Sequence, residues 1–361
     1  MSKAQRLALI VAGGTGGHIF PGLSVASELK ARGWQVQWAG NPQAMEGRLV
    51  SANGVEMNTL VFSGFRGKGI LQQVFMPLKL LRAFWTSVQI LRRTRPAVVL
   101  GMGGYVAFPL GMMASLLNIP LVVHEQNSVA GLTNKVLAKL ADRNLVAFPY
   151  ALPNSNWVGN PVREMIYSQP EPRARFQGRS GPLKLLVLGG SLGAQALNEV
   201  VPKALAMLPA DCRPEVVHQA GEKNLPALRD NYEKAGVSAQ QLAFIDDVAA
   251  AMATADLVIC RAGALTVSEV ACAGVAAVFV PLPSAIDDHQ TANASWLVQK
   301  QGAVLLPQSE FSKGALLPLL QSWLQDKSAL RHLANNARRT AIDDAAEQVV
   351  RVCGEVIGKT K

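Results

Sequence analysis

The sequence predicts an α/β chain of two doubly wound parallel-sheet domains. Short apolar runs alternate with longer helix-patterned stretches from end to end. A glycine loop follows the first such run in each half, GGTGGH at residues 13–18 and GGSLGA at 189–194. A length of 361 residues also exceeds the usual size of one domain.

In the first half, runs 7–12, 35–39, 98–100, 121–123 and 144–147 read as strands, with helix-patterned segments between them, as at 22–32. The uncharged runs 98–100 and 121–123 are as apolar as parallel strands buried on both faces are expected to be. The second half repeats the theme at 183–188, 215–219, 242–245, 257–259, 277–280 and 303–305. Residues 159–182, rich in Pro, Arg, Gly and Ser, read as an interdomain linker, so the expected domains are 1–162 and 163–340.

Residues 96–123 hold no Asp, Glu, Lys or Arg and are long enough to cross a bilayer. Gly101, Gly103, Gly104, Pro109 and Pro120 divide them instead into strand, loop, helix and strand. Lys3 and Arg6 precede an apolar run too short for a secretory signal. Cys212, Cys260, Cys272 and Cys353 show no C-x-x-C spacing, which argues against a zinc site or a disulfide framework. A reducing, cytosolic setting is expected.

The net charge of +10 lies entirely in the first half: residues 1–162 hold 15 Lys/Arg against 5 Asp/Glu, and residues 163–361 hold 20 of each. The excess peaks over residues 61–95, where Arg66, Lys68, Lys79, Arg82, Arg92, Arg93 and Arg95 are interleaved with Ile70, Leu71, Val74, Phe75, Leu78, Leu81, Phe84 and Trp85. Such a mixture fits a surface resting on anionic lipid. It fits equally an amphipathic core helix with a solvated cationic face. Nucleic acid is not expected as a partner, because the signatures of RRM, KH, zinc-finger and basic-zipper modules are missing.

Ligands of open α/β sheets bind at the carboxyl ends of the strands, where this chain carries its motifs. Gly13 and Gly14 open the first glycine loop, and Gly103, Gly104 and Tyr105 belong to GMGGY. HEQN follows at 124–127, GNPVR at 159–163, FIDD at 244–247, RAGALTVSE at 261–269 and DDHQTAN at 287–293. Glycine lets successive backbone N–H groups turn toward one anion, and the following helix adds its positive end. GGTGGH completes neither G-x-G-x-x-G nor a P-loop. GGSLG satisfies G-x-S-x-G, so an α/β serine hydrolase using Ser191 is the rival reading, although no HGGG-like segment precedes it. Glu269 fits either a ribose-binding carboxylate or a residue complementing the dipole near a helix start, with Thr266 and Ser268 helping to satisfy the first turn.

In this order, GGTGGH, GMGGYV, HEQN, GLTNK (131–135), GNPVR, GGSLGA, FIDD and RAGALTVSE closely resemble the MurG family of UDP-N-acetylglucosamine transferases, over about residues 7–350. The resemblance implies a GT-B glycosyltransferase, two Rossmann-like domains facing across a cleft. The first (1–162) would take the lipid-linked acceptor and face the membrane, the second (163–340) would hold the sugar nucleotide, and the last helix, within about 341–361, would pack back on the first. It implies an inverting transfer of N-acetylglucosamine from UDP-N-acetylglucosamine to the C4 hydroxyl of lipid I, giving lipid II, at the cytoplasmic face of the bacterial inner membrane.

By motif position, Ile245 would bind uracil through its backbone, Phe244 would cover the base and Glu269 would hold the ribose. Ser191 with Ala264, Leu265, Thr266, Val267 and Ser268 would line the diphosphate and sugar. Thr15, Gly16, Gly17, Asn127, Arg163 and Gln290 would complete the donor site, and the glycine loops at 13–14 and 103–105 would receive the acceptor diphosphate. Leu192 and His289 depart from residues some relatives carry. His18, which ends a glycine loop, is the first candidate for the base, and Glu125 is the second. No cofactor and no metal are expected, since the chain has no D-x-D of the metal-dependent transferases. Other cell-wall synthesis proteins are candidate partners.

Overall fold

The computed structural model describes residues 6–62, 75–190 and 193–358, with the side chain of Ile286 left out. They form two compact units, the first running to Arg163 and resuming at Ile342, the second comprising Glu164–Ala341.

The first unit contains β1 (Leu7–Val11), α1 (Gly16–Ala31), β2 (Gln35–Gly40), α2 (Met45–Ala52), β3 (Glu56–Thr59), α3 (Met76–Thr94), β4 (Val98–Gly101), α4 (Ala107–Leu116), β5 (Leu121–Glu125), α5 (Leu132–Leu137), β6 (Arg143–Val146) and β7 (Ser155–Trp157). Its seven strands are parallel, in the order β3-β2-β1-β4-β5-β6-β7. Side chains of a strand alternate between faces. Thus Ala8 and Ile10 join Val25, Leu29 and Trp38 on one side, while Leu9 and Val11 join Val99 and Leu110 on the other. The uncharged stretch 96–123 becomes β4, α4 and most of β5, and no described helix is long and apolar enough to cross a membrane.

The second unit contains α6 (Glu164–Tyr167), α7 (Pro172–Phe176), β8 (Lys184–Leu188), α8 (Gln195–Ala206), β9 (Glu215–Gln219), α9 (Leu225–Ala235), β10 (Gln240–Leu242), α10 (Val248–Thr254), β11 (Leu257–Cys260), α11 (Ala264–Ala273), β12 (Ala276–Phe279), α12 (His289–Gln299), β13 (Val304–Leu305), α13 (Gln308–Ser312), α14 (Leu316–Gln325) and α15 (Ser328–Arg339). Its parallel sheet runs β10-β9-β8-β11-β12-β13. Both sheets therefore reverse strand order beside their first strand, at β1/β4 and at β8/β11, and such a reversal opens a crevice at the carboxyl ends. The chain then returns to the first unit as α16 (Ala345–Gly358), whose Val349, Val350, Val352, Cys353 and Val356 fill the same core cluster as Val25 and Leu29.

Residues 159–182 are more structured than a linker. Arg175 donates to the carbonyls of Met252 and Ala253 and to those of Ala273 and Gly274, where α10 and α11 end. A guanidinium is favourable there because the carboxyl end of a helix carries negative partial charge. Burial, followed by repulsion from Arg179, lowers the Arg175 pKa to about 10.

Candidate active site

In the first unit the glycine loops after β1 and β4 interlock at the reversal point. A Cβ on Gly104 (φ +81°) would lie 2.3 Å from the carbonyl oxygen of Gly13, so only glycine fits. The turn is held from behind by Trp38, whose indole N–H donates to Ala12 O at 3.0 Å. The buried Glu46 accepts from Asn41 N at 3.2 Å and from Gly14 N at 3.5 Å. Thr15 is the N-cap of α1 and makes no side-chain cap, so Gly16 and Gly17 open a helix end built from glycine backbone.

His18 lies in the first turn of α1, half-buried. Its Nδ1 is 3.2 Å from Gly13 O and 3.4 Å from Thr15 Oγ1. A carbonyl oxygen only accepts, so Nδ1 carries the hydrogen and Nε2 carries the lone pair. The ring lies beside Gly103 (φ +95°), where an added Cβ would approach Cδ2 to 2.9 Å and Nε2 to 3.1 Å. Tyr105, two residues on, is 41 % exposed.

Glu125, at the end of β5, is buried and surrounded by donors. Oε1 accepts from Asn127 N at 2.9 Å and Asn127 Nδ2 at 3.2 Å, and Oε2 from Gly131 N at 3.2 Å and Asn134 Nδ2 at 2.9 Å. The carboxylate thus folds the HEQN turn and the start of α5 around itself and fixes Asn127. His124 Nε2 donates to Gly159 O at 2.9 Å, and burial lowers the His124 pKa to about 4. Arg163 ends the GNPVR turn with its guanidinium carbon 5.7 Å from the centre of the Phe20 ring, on the helix that carries His18.

In the second unit, the loop after β8 passes through Gly190 (φ +76°) and Gly193 (φ +75°) and opens α8 without a side-chain cap. Ser191 and Leu192 lie outside the described residues. Beyond β10, Phe244 is 61 % exposed while Ile245 is buried.

Gly263 is the N-cap of α11 and has no side chain to cap it, and Ala264, Leu265, Thr266, Val267 and Ser268 form the opening turn and the start of the next. The expectation that Ser268 helps satisfy the first turn does not hold. Its hydroxyl donates backward to Ala264 O at 3.1 Å, as serine within a helix commonly does. Glu269 is also the sixth residue of the helix rather than near its start, where dipole effects have fallen away. It is buried, and the Cys260 thiol is pushed up by its own burial and, secondarily, by the Glu269 charge.

Gln290, at the start of α12, accepts from Leu282 N at 2.9 Å, which leaves the amide nitrogen as its donating end. Two residues in left-handed conformation precede α12, Asp287 (φ 53°) and Asp288 (φ 48°). Arg261 donates to the carbonyls of Val280 and Pro281 and to Gln308 Oε1, a bracing role. Among the described residues no group of three His, Cys, Asp or Glu is placed to hold a metal ion.

Residues 8–146 match the glycosyltransferase family 28 N-terminal domain, and residues 184–349 the glycosyltransferase family 28 C-terminal domain. The chain belongs to glycosyltransferase family 28. Within this family it is 57 % identical over 351 residues, 96 % of each chain, to the UDP-N-acetylglucosamine–N-acetylmuramyl-(pentapeptide) pyrophosphoryl-undecaprenol N-acetylglucosamine transferase of Ralstonia nicotianae. It is 56 % identical to the protein of the same name from Cupriavidus metallidurans, over 98 % of this chain and 99 % of the other. The crystal structure of MurG from Acinetobacter baumannii superposes with a TM-score of 0.84 at 40 % identity, covering 97 % of this chain and 99 % of that one. The fold alone is shared with a UDP-GlcNAc 2-epimerase from Neisseria meningitidis (TM-score 0.68, 11 % identity, 97 % of this chain and all of the other). These two parallel-sheet units are the GT-B architecture of the family-28 enzymes.

The structure adds residues to the family-28 motifs that sequence reasoning left unmarked. Glu46 lies in α2, outside every motif, and nothing in its neighbourhood in sequence marks it. Asn134 falls within GLTNK, and its role emerges only from its contact with Glu125.

Proposed function

We propose that this protein transfers N-acetylglucosamine from UDP-N-acetylglucosamine to the C4 hydroxyl of the muramoyl unit of lipid I, with inversion. The single observation that carries the chemistry is the 3.2 Å approach of His18 Nδ1 to Gly13 O, from which the hydrogen is assigned to Nδ1. Nε2 takes the hydroxyl proton as the oxygen attacks the anomeric carbon, and the bond to UDP breaks with its electron pair leaving on the diphosphate. Glu125 is the poorer base because four N–H groups already occupy its oxygens. It positions Asn127.

In this reading Phe244 covers uracil, Ile245 binds it through the backbone, Glu269 accepts the ribose hydroxyls, and Ser191 with the opening of α11 receives the diphosphate. Thr15, Gly16, Gly17, Asn127, Arg163 and Gln290 complete donor binding. The loops at Gly13–Gly14 and Gly103–Tyr105 receive the diphosphate of the acceptor. Uncapped helix ends supply N–H groups to the charge that develops on UDP.

We also infer that α3 docks on the anionic cytoplasmic leaflet. Its buried stripe is Met76, Ala83, Ser87, Ile90 and Leu91. The opposite side exposes Leu78 (67 %), Leu81 (64 %) and Trp85 (64 %), with the exposed Lys79 and Arg82 beside them, and Phe75 is exposed just before the helix. A core helix with only a solvated cationic face leaves such side chains unexplained. Residues 63–74, with Arg66, Lys68, Ile70, Leu71 and Val74, lie outside the described residues.

The test is UDP release from UDP-N-acetylglucosamine with and without a lipid I analogue. Release only with the analogue supports the transfer. Hydrolysis of esters blocked by a serine-reactive phosphonate would favour the hydrolase instead.

A further inference from the structure

The HEQN turn contains a buried acceptor with no partner among the described residues. Gln126 is 1 % exposed, and its Nε2 lies 3.2 Å from the carbonyl oxygen of His124 and 3.0 Å from His124 Nδ1. The carbonyl oxygen only accepts, so the amide nitrogen must face it and the flipped amide is excluded. The imidazole agrees: with Nε2 donating to Gly159 O, Nδ1 is a lone pair ready for the Gln126 N–H. Gln126 Oε1 therefore faces away, sealed from solvent and unpaired.

Leaving a sealed carbonyl oxygen unpaired is destabilising. A Cβ on Gly103 would lie 3.4 Å from Gln126 Oε1 and 3.1 Å from His18 Nε2, so both atoms border the small space that this glycine keeps open. In the resting tautomer Nε2 has no hydrogen to give. It gains one when the ring takes a proton.

We infer that Gln126 is a positioning residue for His18, its Oε1 accepting the N–H that His18 Nε2 gains on removing the proton of the attacking hydroxyl. This rests on the assignment of His18 as base. The hydroxyl oxygen bonds to the anomeric carbon, the carbon–UDP bond breaks with its electron pair on UDP, and the proton resides on Nε2. The product oxygen is then an ether, a weak acceptor, and the imidazolium turns its N–H to Gln126. That contact stabilises the imidazolium relative to the neutral ring, so it favours the proton-bearing state without tightening the ground state.

The other ionisable groups near the ring leave this role open. Glu46, from α2, is committed to the backbone of Asn41 and Gly14. Glu125 is committed to the HEQN turn, and buried His124 stays neutral. Arg163 lies over Phe20, and Tyr105 is in the glycine loop.

The experiment is an NMR titration of the His18 ring in the full chain, with the pH dependence of kcat, for Gln126→Met and Gln126→Glu. Gln126→Met keeps length and removes the acceptor. Its His18 midpoint is expected to fall by about one unit, the acidic limb of kcat to follow, and kcat to drop about tenfold. KM for UDP-N-acetylglucosamine should stay unchanged. Gln126→Glu keeps an acceptor and adds charge, so its midpoint should rise.

An unmoved midpoint in folded Gln126→Met overturns the inference. If that variant does not fold, an unmoved or lowered midpoint in Gln126→Glu overturns it. Wild-type kcat in His18→Ala would refute the base assignment instead, a result separable from the titrations.

Discussion

Replacing Glu125 by glutamine separates a carboxylate that builds a turn from one that moves a proton. Each carboxylate oxygen accepts two N–H groups. A glutamine in the same rotamer presents its NH2 to one of these donor pairs whichever way it is turned. Two hydrogen bonds to a charged acceptor are lost, each worth about 1.5–3 kcal/mol, so the first unit should lose about 3–6 kcal/mol. For a unit of this size that lowers Tm by roughly 6–24 °C. Calorimetry reads the loss, and steady-state kinetics should show a raised KM for UDP-N-acetylglucosamine as Asn127 loosens, with the pH profile of kcat unmoved. A variant that melts with the wild type yet loses about 10³-fold in kcat, together with its acidic limb, would refute the argument and make Glu125 the base.

His18→Ala should lower kcat by about 10²–10⁴ with donor affinity by calorimetric titration unchanged; a weakened donor instead would make His18 a binding residue. Glu269→Ala should weaken UDP-N-acetylglucosamine by about 1–3 kcal/mol, and a donor lacking the ribose hydroxyls should show no further loss in that variant. Vesicle binding should weaken at every salt concentration in Phe75→Ser/Trp85→Ser, but only at low salt on anionic lipid in Lys79→Glu/Arg82→Glu. Equal binding by both well-folded variants would return α3 to a plain surface helix. Burial holds His124 near about 4 and His218 near about 3, against 6.5 for an exposed imidazole. Both are neutral when folded, so stability is complete above about pH 6.5 and falls as pH drops toward 4, by about 3 kcal/mol from His124 alone. A urea midpoint that stays flat from pH 7.5 to 4.5 would contradict the buried neutral rings.

The central strands were legible because a parallel strand covered on both faces must be apolar throughout, as β1 and β11 are. Edge strands carry no such mark. β3 reads EMNT with only Asn58 buried, and β7 has three residues, none of them buried, so neither was anticipated. The expected strand at 242–245 is displaced, since β10 ends at Leu242 and Ile245 is buried beyond it. α1 starts six residues before the pattern at 22–32, because the glycine loop itself forms the first turn and Pro21 sits inside the helix. The two glycine loops could be read from their places after apolar runs, but not that Gly104 packs on Gly13. Glu46 could not, because its meaning arises from a contact with Gly14, 32 positions away, and Gln126 shows its role only through the direction its amide is forced to face.

The return of α16 to the first unit has a consequence for how the chain matures during synthesis. All thirteen strands among the described residues are made before Val349, Val350 and Val356 exist. A ribosome releasing residue 341 has delivered everything the second unit needs, while the first still lacks the side chains that share a core with Val25 and Leu29. The second unit can therefore settle first, and the half bearing His18 is completed last, leaving an apolar face of α1 open to chaperones or to premature association in the meantime. A stop codon or a proteolytic cut just after Ala341 would leave every motif residue intact and still yield a chain whose first unit cannot close its core.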